Sequence, residues 1–488
     1  MPENDNLSEI QIKDQKIIIN KELNLIEALI PVAALMSLLA YNIFYAEGKL
    51  LGGYSNQYIL LIAAAIAAIV GSLNKVSIKI MLLEVIENLK KVILPILILL
   101  LVGALAGTWL ISGIIPAMVY YGLEVLNPTI FLPASVIICI IISVATGSSW
   151  TTTATVGIAL IGIGKTLGID TGMVAGAVIS GAYFGDKMSP LSDTTNLAPA
   201  MAGTDLFTHI RYMTITTIPT IIITIVAFSL IGMNLSINGN TDVNNLLVEI
   251  QQIFTITPWL FIVPVVVVAL IIFKTKPLIA LGIGVVLAAI FAFIFQNEVL
   301  QNLSNSNLKS VTHAVFLETS ITTDNKTLAD LFSAKGMAGM IGTIILILSA
   351  MVFGGIMDGI GALERITEEL LKMAKSIFGL FSSTVFSCIG LNIVASDQYL
   401  AIVIPGKMYE KSFKERGLAP ENLSRTLEDS GTVTSVLIPW NTCGAYQTSV
   451  LGVGVHEYFF YAIFNWLSPI TTLVIAGFGI KIKQLRQK

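Results

Sequence analysis

Charged residues are scarce in this chain. Of its 488 residues, 28 are Lys or Arg and 31 are Asp or Glu, which together make up 12%, against about 25% in soluble domains. Eleven stretches of at least 19 residues contain no charged side chain, and a membrane-spanning helix needs about 20 apolar residues. The scarcity of charge therefore excludes a soluble enzyme or a nucleic-acid binder as an account of the whole chain. It predicts an all-α polytopic membrane protein.

Cysteine and histidine are also rare, with three of each. Cys139, Cys388 and Cys443 lie far apart in charge-free stretches, so neither a disulfide framework nor a zinc site is expected. The zinc-protease motif H-E-x-x-H and the nucleophile motif G-x-S-x-G are both missing. We therefore expect no enzymatic activity and no cofactor.

The distribution of Lys and Arg predicts the orientation in the membrane. With the N-terminus placed inside, most of the 28 basic residues fall on the cytoplasmic side, as the positive-inside rule requires. The linker 235–256, which contains no Lys or Arg, is then external. Both termini are predicted to be cytoplasmic, with tails at 1–24 and 481–488. Two apolar segments, 129–164 and 376–406, must enter and leave on the same side as re-entrant hairpins.

A weak internal repeat explains the two hairpins. Ser148 aligns with Ser396, and Pro190 aligns with Pro439 at nearly the same separation. This match of pattern divides the chain into two membrane repeats, 25–234 and 257–480.

Each repeat is predicted to contain five spans, one hairpin and one helix broken by proline and polar residues. The broken helices are 172–204 and 424–456. An odd number of spans per repeat inverts the second repeat relative to the first. The fold prediction is two inverted-topology repeats with about ten transmembrane helices, two re-entrant hairpins and two broken helices. A plain twelve-helix bundle is the alternative.

Carboxylates inside these apolar segments are the main candidates for function. Asp186 and Asp193 interrupt the first broken helix, and a charge at that depth is energetically unfavourable. Asp186 either binds a ligand or simply neutralises the adjacent Lys187 near an interface. Asp397 is at the tip of the second hairpin. Asp429 is expected near the cytoplasmic end, in a solvated or capping role.

Paired discontinuous helices in two repeats are the sequence sign of a transporter's midplane site. The polar residues there are mostly carboxylates, hydroxyls and amides, and hard cations prefer such oxygen ligands. Asp193 and Asp397 are the hypothetical Na⁺ ligands. The full set of candidate ion- or substrate-binding residues is Asp193, Asp397, Asp186, Ser148, Ser149, Thr194, Thr195, Ser396, Asn441 and Thr442.

Five motifs resemble those of a known transporter family. They are GSSWTTTAT at 147–155, GDKMSPLSDTTN at 185–196, SDQ at 396–398, EDSGTVTS at 428–435 and PWN at 439–441. With these motifs the chain is similar to the NhaC family of Na⁺/H⁺ antiporters, within the wider ion-transporter superfamily. The resemblance spans essentially the whole chain. It implies secondary transport in a bacterial inner membrane, with inverted repeats and re-entrant hairpins.

The resemblance leaves the substrate open, because the family includes relatives that exchange malate for lactate with coupled Na⁺ and H⁺. Our first hypothesis is exchange of Na⁺ for H⁺ by alternating access. Coupled malate or lactate exchange is the alternative, and a cation channel is a third. The expected partners are therefore Na⁺, H⁺, one of these carboxylates and the lipid bilayer, without nucleic acid. Assembly as a homodimer is left open.

Overall fold

The computed structural model describes residues 23–46, 49–125, 127–235, 243–273, 275–323, 328–329 and 332–485. Within these residues, eight helices are long and apolar enough to cross a membrane. A ninth span results if the pair Asn245–Ile253 and Pro258–Ile272, bent by 80°, is counted as one. The chain is therefore a multi-pass membrane protein. The count of about ten spans stays a prediction, because the broken helices, which contain polar residues, are not among these spans.

The first half, up to residue 235, is helical throughout. Its helices are α1 (Leu25–Phe44), α2 (Ser55–Leu73), α3 (Ile78–Lys91), α4 (Ile93–Ile111), α5 (Ile114–Val125), α6 (Pro128–Thr146), α7 (Ser149–Thr152), α8 (Ile158–Thr166), α9 (Thr171–Met188), α10 (Asp193–Ala202) and α11 (Leu206–Asn234). A π-helical turn, Thr153–Gly157, joins α7 to α8.

The second half has the same character, with one small strand pair. Its elements are α12 (Val243–Ile253), a 3-10 turn (Pro258–Phe261), α13 (Ile262–Ile272), α14 (Pro277–Phe295), α15 (Asn297–Leu303), α16 (Asn307–Phe316), β1 (Thr319–Ser320), β2 (Ser333–Ala334), a 3-10 turn (Ala338–Met340), α17 (Ile341–Gly359), α18 (Ala362–Met373), α19 (Ile377–Val394), α20 (Gln398–Glu415), α21 (Pro420–Leu427), a π-helical turn (Glu428–Thr432), a 3-10 turn (Ser435–Leu437), α22 (Thr442–Leu451), α23 (Val455–Tyr458) and α24 (Ile463–Gly477). The two strands pair antiparallel.

The segments 129–164 and 376–406 both fold as antiparallel helical hairpins. In the first, a Cβ on Gly164 of α8 would lie 3.0 Å from the Phe131 ring of α6, so the arms return alongside each other. In the second, the Ser387 hydroxyl is 2.9 Å from the Tyr409 hydroxyl, and the Phe381 and Phe413 rings meet edge to face. The polar residues at each hairpin tip therefore lie beyond the contact between the two arms, at 147–148 in the first hairpin and at 395–397 in the second.

Both predicted broken helices are interrupted where proline and polar residues occur. Helix α9 ends at Met188 and α10 begins at Asp193, with Pro190 between them. Proline lacks the N–H of a helical hydrogen bond. The second break lies between Leu437 and Thr442 and contains Pro439.

Glycines allow α6 and α9 to pack closely. A Cβ on Gly181 would lie 2.3 Å from the Val136 carbonyl oxygen, and a Cβ on Gly185 would lie 2.6 Å from the Val144 nitrogen. Small residues in membrane helices permit such backbone contact. The first hairpin is therefore held directly against the first broken helix.

The largest apolar core crosses the boundary between the halves. It includes Tyr183 and Ile179 of α9 together with Tyr446 of α22 and Phe464 of α24. The two broken helices consequently lie next to each other; Ser192, Asn441 and Thr442 of their interruptions are buried, whereas Pro190 and Pro439 are exposed.

Candidate functional site

The tip of the first hairpin contacts the first broken helix through Asp186. Gly147 ends α6 in the left-handed conformation, with φ +70°, which glycine adopts without strain. Ser148 then caps α7, with its hydroxyl accepting from the Thr151 N–H. The next residue, Ser149, donates to Asp186 Oδ2 from both its N–H at 3.1 Å and its hydroxyl at 2.6 Å. The half-buried Asp186 carboxylate is thus fixed at a helix N-terminus, where negative charge is favoured.

The first break is stabilised by hydroxyl groups. Ser192 caps α10. The Thr195 hydroxyl donates to the carbonyl oxygens of Asp186 at 3.1 Å and Lys187 at 3.0 Å, which have lost their helical partners. Asp193, the first residue of α10, is exposed, whereas Thr194 is buried.

The tip of the second hairpin is formed by Ser396 and Asp397. Asp397 caps α20, and its Oδ1 accepts from the N–H groups of Tyr399 at 2.9 Å and Leu400 at 3.0 Å. Ser396 has a positive φ of 59°, which is uncommon outside glycine. Its buried hydroxyl has no hydrogen-bond partner among the described residues. A strained, unpartnered hydroxyl beside a buried carboxylate offers the oxygen atoms that a hard cation binds.

The second break is bonded to this tip. Asn441 caps α22, with Oδ1 accepting from the Cys443 N–H at 3.0 Å. The Thr442 N–H donates to the Ser396 carbonyl oxygen at 3.0 Å. Asn441 Nδ2 also donates to the Asn392 carbonyl oxygen in α19 at 3.1 Å. Each hairpin tip is therefore attached to the broken helix of its own half.

Tyr399 brings the predicted carboxylates into one region. Its side chain lies close enough to Asp186, Asp193 and Asp397 for their charges to act on its hydroxyl. The ion pairs within the described chain include none of these three carboxylates. Asp193 and Asp397, 204 positions apart in sequence, thus belong to two helices, α10 and α20, that pack together.

The interpretation that Asp186 and Lys187 neutralise each other is wrong. Lys187 forms an ion pair with Asp429, and both side chains are fully buried. The expectation that Asp429 is solvated is wrong for the same reason. Successive residues on a helix point in different directions, so Asp186 faces the first hairpin while Lys187 faces the second half.

Further polar groups at this site were not predicted from the sequence. Glu428 is fully buried, and its Oε1 accepts from the Thr194 hydroxyl at 3.0 Å. Trp150 stacks on Tyr446 across the two halves, with ring centroids 3.9 Å apart. The sequence signal for these buried acidic residues was Lys187, because a lysine inside an apolar helix needs a counterion from elsewhere in the fold.

The described side chains of this region offer many oxygen ligands but do not form a typical metal-binding cluster. No group of three or more His, Cys, Asp or Glu that could hold a metal ion occurs in the described part of the chain. A cation in this region would be bound by one or two carboxylates together with hydroxyl and carbonyl oxygens. That arrangement suits a transported monovalent cation better than a resident transition metal.

Comparison with known proteins agrees with the motifs. Residues 181–480 match the model of the Na⁺/H⁺ antiporter family. The Na⁺/H⁺ antiporter NhaC of Alkalihalophilus pseudofirmus is 38% identical over 427 residues, covering 87% of this chain and 90% of its own. A malate-2H⁺/Na⁺-lactate antiporter of Bacillus subtilis is 38% identical over 391 residues, 78% and 80% of the two chains.

A third relative has a different substrate in its name. The arginine/ornithine antiporter ArcD of Halobacterium salinarum is 34% identical over 392 residues, 79% of each chain. These relatives match most of their length, and all are named as antiporters. On its motifs, its family match and its identity to these proteins, the chain belongs to the Na⁺/H⁺ antiporter family.

Proposed function

We propose that this protein is a secondary active transporter that exchanges Na⁺ for H⁺ across the bacterial inner membrane by alternating access. The observation that carries the proposal is the packing of α10, which begins at Asp193, against α20, which Asp397 caps, together with the bonding of Asp186 to the first hairpin tip. A transporter needs a site between two structural halves that can open to either side.

Exchange follows from competition for a carboxylate. A carboxylate withdrawn from water is unstable unless its charge is compensated. One proton or one Na⁺ provides that compensation, but the two cannot occupy the same oxygens together. If only the occupied carrier changes its accessible side, inward movement of one ion is coupled to outward movement of the other.

The topology is part of the proposal. We infer that the two repeats are inverted, that the first hairpin enters from outside and the second from the cytoplasm, and that both termini are cytoplasmic. The relatedness of the repeats is supported by one shared feature: each hairpin tip bonds to the broken helix of its own half, through Ser149 and Asp186 in the first and through Ser396 and Thr442 in the second. The domain boundaries 25–234 and 257–480 and assembly as a homodimer stay predictions.

Coupled malate or lactate exchange is the second candidate. The relative named as a malate-2H⁺/Na⁺-lactate antiporter is as similar to this chain, at 38% identity, as the NhaC relative is. A substrate carboxylate would have to be bound by Ser396, Asn441 and Thr442 and the N-terminus of α22. Lys187 is committed to Asp429, and the buried Arg425 guanidinium lies over the Tyr212 ring at 4.6 Å. Because Lys187 is already paired with Asp429, Na⁺/H⁺ exchange is the better-supported function.

Neutralisation of Asp193 and Asp397 tests the first proposal. Asp193→Asn and Asp397→Asn should each abolish Na⁺-dependent proton movement in everted membrane vesicles, because the amide carries no exchangeable charge. Asp205→Asn is the matched control, since Asp205 caps α11 outside this region and asparagine caps equally well. Wild-type exchange in both site variants would refute the assignment.

Counterflow separates the two candidate functions. Purified protein in proteoliposomes preloaded with unlabelled malate or lactate is given the labelled compound outside. Accumulation of label would establish carboxylate exchange. Na⁺-driven proton movement without counterflow would establish ion exchange alone. Saturation and trans-stimulation in either assay would exclude a channel.

A further inference from the structure

Glu428 is a buried carboxylate for which the proposed exchange at Asp193 and Asp397 has no use. It begins the π-helical turn Glu428–Thr432 and is fully buried. Oε1 accepts from the Thr194 hydroxyl at 3.0 Å. Oε2 has no hydrogen-bond partner within the described residues. A buried carboxylate oxygen without a protein donor is unfavourable, so Oε2 can accept a further positively charged partner.

Two neighbouring hydroxyls share this property. Ser430 Oγ and Thr432 Oγ1 are both buried, and the described part of the chain offers neither a hydrogen-bond partner. Thr432 lies one turn after Glu428, and its side chain approaches the carboxylate. The π-helical turn also directs the Gly431 carbonyl oxygen to Asn392 Nδ2, at 2.7 Å. The segment therefore presents several buried oxygens with incomplete bonding.

The charges around Glu428 do not balance. Lys187 acts on Glu428 but is bound to Asp429, with the Ser468 hydroxyl a further 3.1 Å from its Nζ. Asp186 adds negative charge to the same region. Arg425, three residues before Glu428, points its guanidinium at the Tyr212 ring. Lys187 and Arg425 together carry two positive charges against the three carboxylates of Glu428, Asp429 and Asp186, so one negative charge is in excess.

We infer that Glu428, together with Thr194 and Thr432, forms a second binding site for one monovalent positive charge, Na⁺ or a proton. This site is separate from Asp193 and Asp397. It rests on the proposed function, because it assumes that the protein moves these ions. A single positive charge at Oε2 would supply the missing partner of the carboxylate and reduce the local excess of negative charge. Thr194 connects the two sites, since it follows Asp193 directly on α10.

Equilibrium binding of radioactive Na⁺ to the purified protein tests the inference, with protons released on Na⁺ addition measured in parallel. Glu428→Gln removes the charge and keeps the shape. If Na⁺ occupies the site, this variant should bind one Na⁺ fewer per chain than the wild type. If a proton occupies it, Na⁺ binding stays the same and one proton fewer is moved for each Na⁺ exchanged. Unchanged Na⁺ stoichiometry together with an unchanged proton ratio would overturn the inference.

Thr432→Val provides a second variant that leaves all charges in place. Loss of a hydroxyl that contacts the bound charge should weaken the affinity for Na⁺ by about tenfold, or shift by about tenfold the proton concentration at which exchange is half-maximal. Wild-type values for both quantities would count against the site, even if Glu428→Gln failed to fold. Glu415→Gln, which alters an exposed side chain of α20, is the control for a loss of one carboxylate.

The result also distinguishes this inference from the proposed function. If the wild-type protein moves neither Na⁺ nor H⁺ in vesicles, the proposed function fails. If the wild type exchanges both ions and the Glu428 and Thr432 variants match it in stoichiometry and affinity, only the second site fails.

Discussion

At the scale of single residues, the buried pair Lys187–Asp429 connects the first broken helix to the second. The Thr472 hydroxyl donates to Asp429, and Ser468 bonds with Lys187. Removing one member of a buried ion pair leaves an uncompensated charge, which costs about 3–5 kcal/mol. We therefore expect Lys187→Met and Asp429→Asn each to lower the unfolding temperature in detergent strongly. The double variant should be more stable than either single variant.

The exposed pair Lys90–Glu87 is the control for this experiment. Its side chains are 61% and 57% exposed, and surface ion pairs contribute about 0–1 kcal/mol. Lys90→Met should therefore leave the unfolding temperature nearly unchanged. Strictly additive losses in the Lys187 and Asp429 variants would show that the two side chains are not coupled.

Sequence reasoning identified some of these residues and missed others for a physical reason. Asp186, Asp193 and Asp397 stand out because each interrupts or ends an apolar stretch. Glu428 and Asp429 immediately precede the charge-free stretch 430–456, and the sequence predicts for Asp429 a solvated or capping role near the cytoplasmic end. Their burial results from packing against α9, α10 and α24, which is long-range and has no local signal.

At the scale of helices, the local sequence predicted where the two helices are broken, but it did not predict the two π-helical turns. Pro190 and Pro439 each lie inside an observed interruption, since proline removes a helical hydrogen bond. The two π-helical turns, Thr153–Gly157 and Glu428–Thr432, have no such signature. In the second turn, the Asn392 side chain of α19 donates to the Gly431 carbonyl oxygen. In the first, the hydroxyls of Thr153 and Thr155 donate to carbonyl oxygens of α7.

Close packing of α6 on α9 gives a prediction at this scale. A Cβ on Gly185 would lie 2.4 Å from Ser143 Cβ and 2.6 Å from the Val144 nitrogen, so the two helices would have to separate. Gly185→Ala should lower the unfolding temperature and reduce exchange, because Asp186 would move away from Ser149. Thermal unfolding in detergent and vesicle transport rates measure the two effects.

Gly390 is the matched control in the second hairpin. A Cβ there meets no described atom within 4 Å, so Gly390→Ala should retain both stability and transport. Alanine also favours a helix over glycine by about 1 kcal/mol. If Gly185→Ala behaved like Gly390→Ala, the close approach of α6 and α9 would not be required for function.

At the scale of the whole molecule, the two halves contact each other beside the candidate site. Trp150 of the first half stacks on Tyr446 of the second, and the Tyr446 hydroxyl donates to the Trp150 carbonyl oxygen at 3.1 Å. The internal repeat predicted that the polar tips would be equivalent. It did not predict these contacts, because they depend on how the two halves are docked rather than on the pattern within each half.

Alternating access through this shared site predicts the accessibility of the two hairpin tips. Ser149 and Ser396 are both buried in this structure, so a cysteine at either position can react only when its side opens. After replacement of Cys139, Cys388 and Cys443, Ser149→Cys should react with a small impermeant thiol reagent from outside. Ser396→Cys should react from the cytoplasmic side, as inverted repeats require. Labelling of intact cells and everted vesicles measures the two sides.

Na⁺ should slow both labelling reactions together, because an ion bound between the tips shields each of them. The comparison of labelling rates with Na⁺ and with an impermeant organic cation at equal ionic strength removes the general effect of salt. Reaction of both cysteines from the same side would contradict the inverted arrangement. Protection of one cysteine without the other would mean that Asp193 and Asp397 belong to separate sites, each confined to its own half.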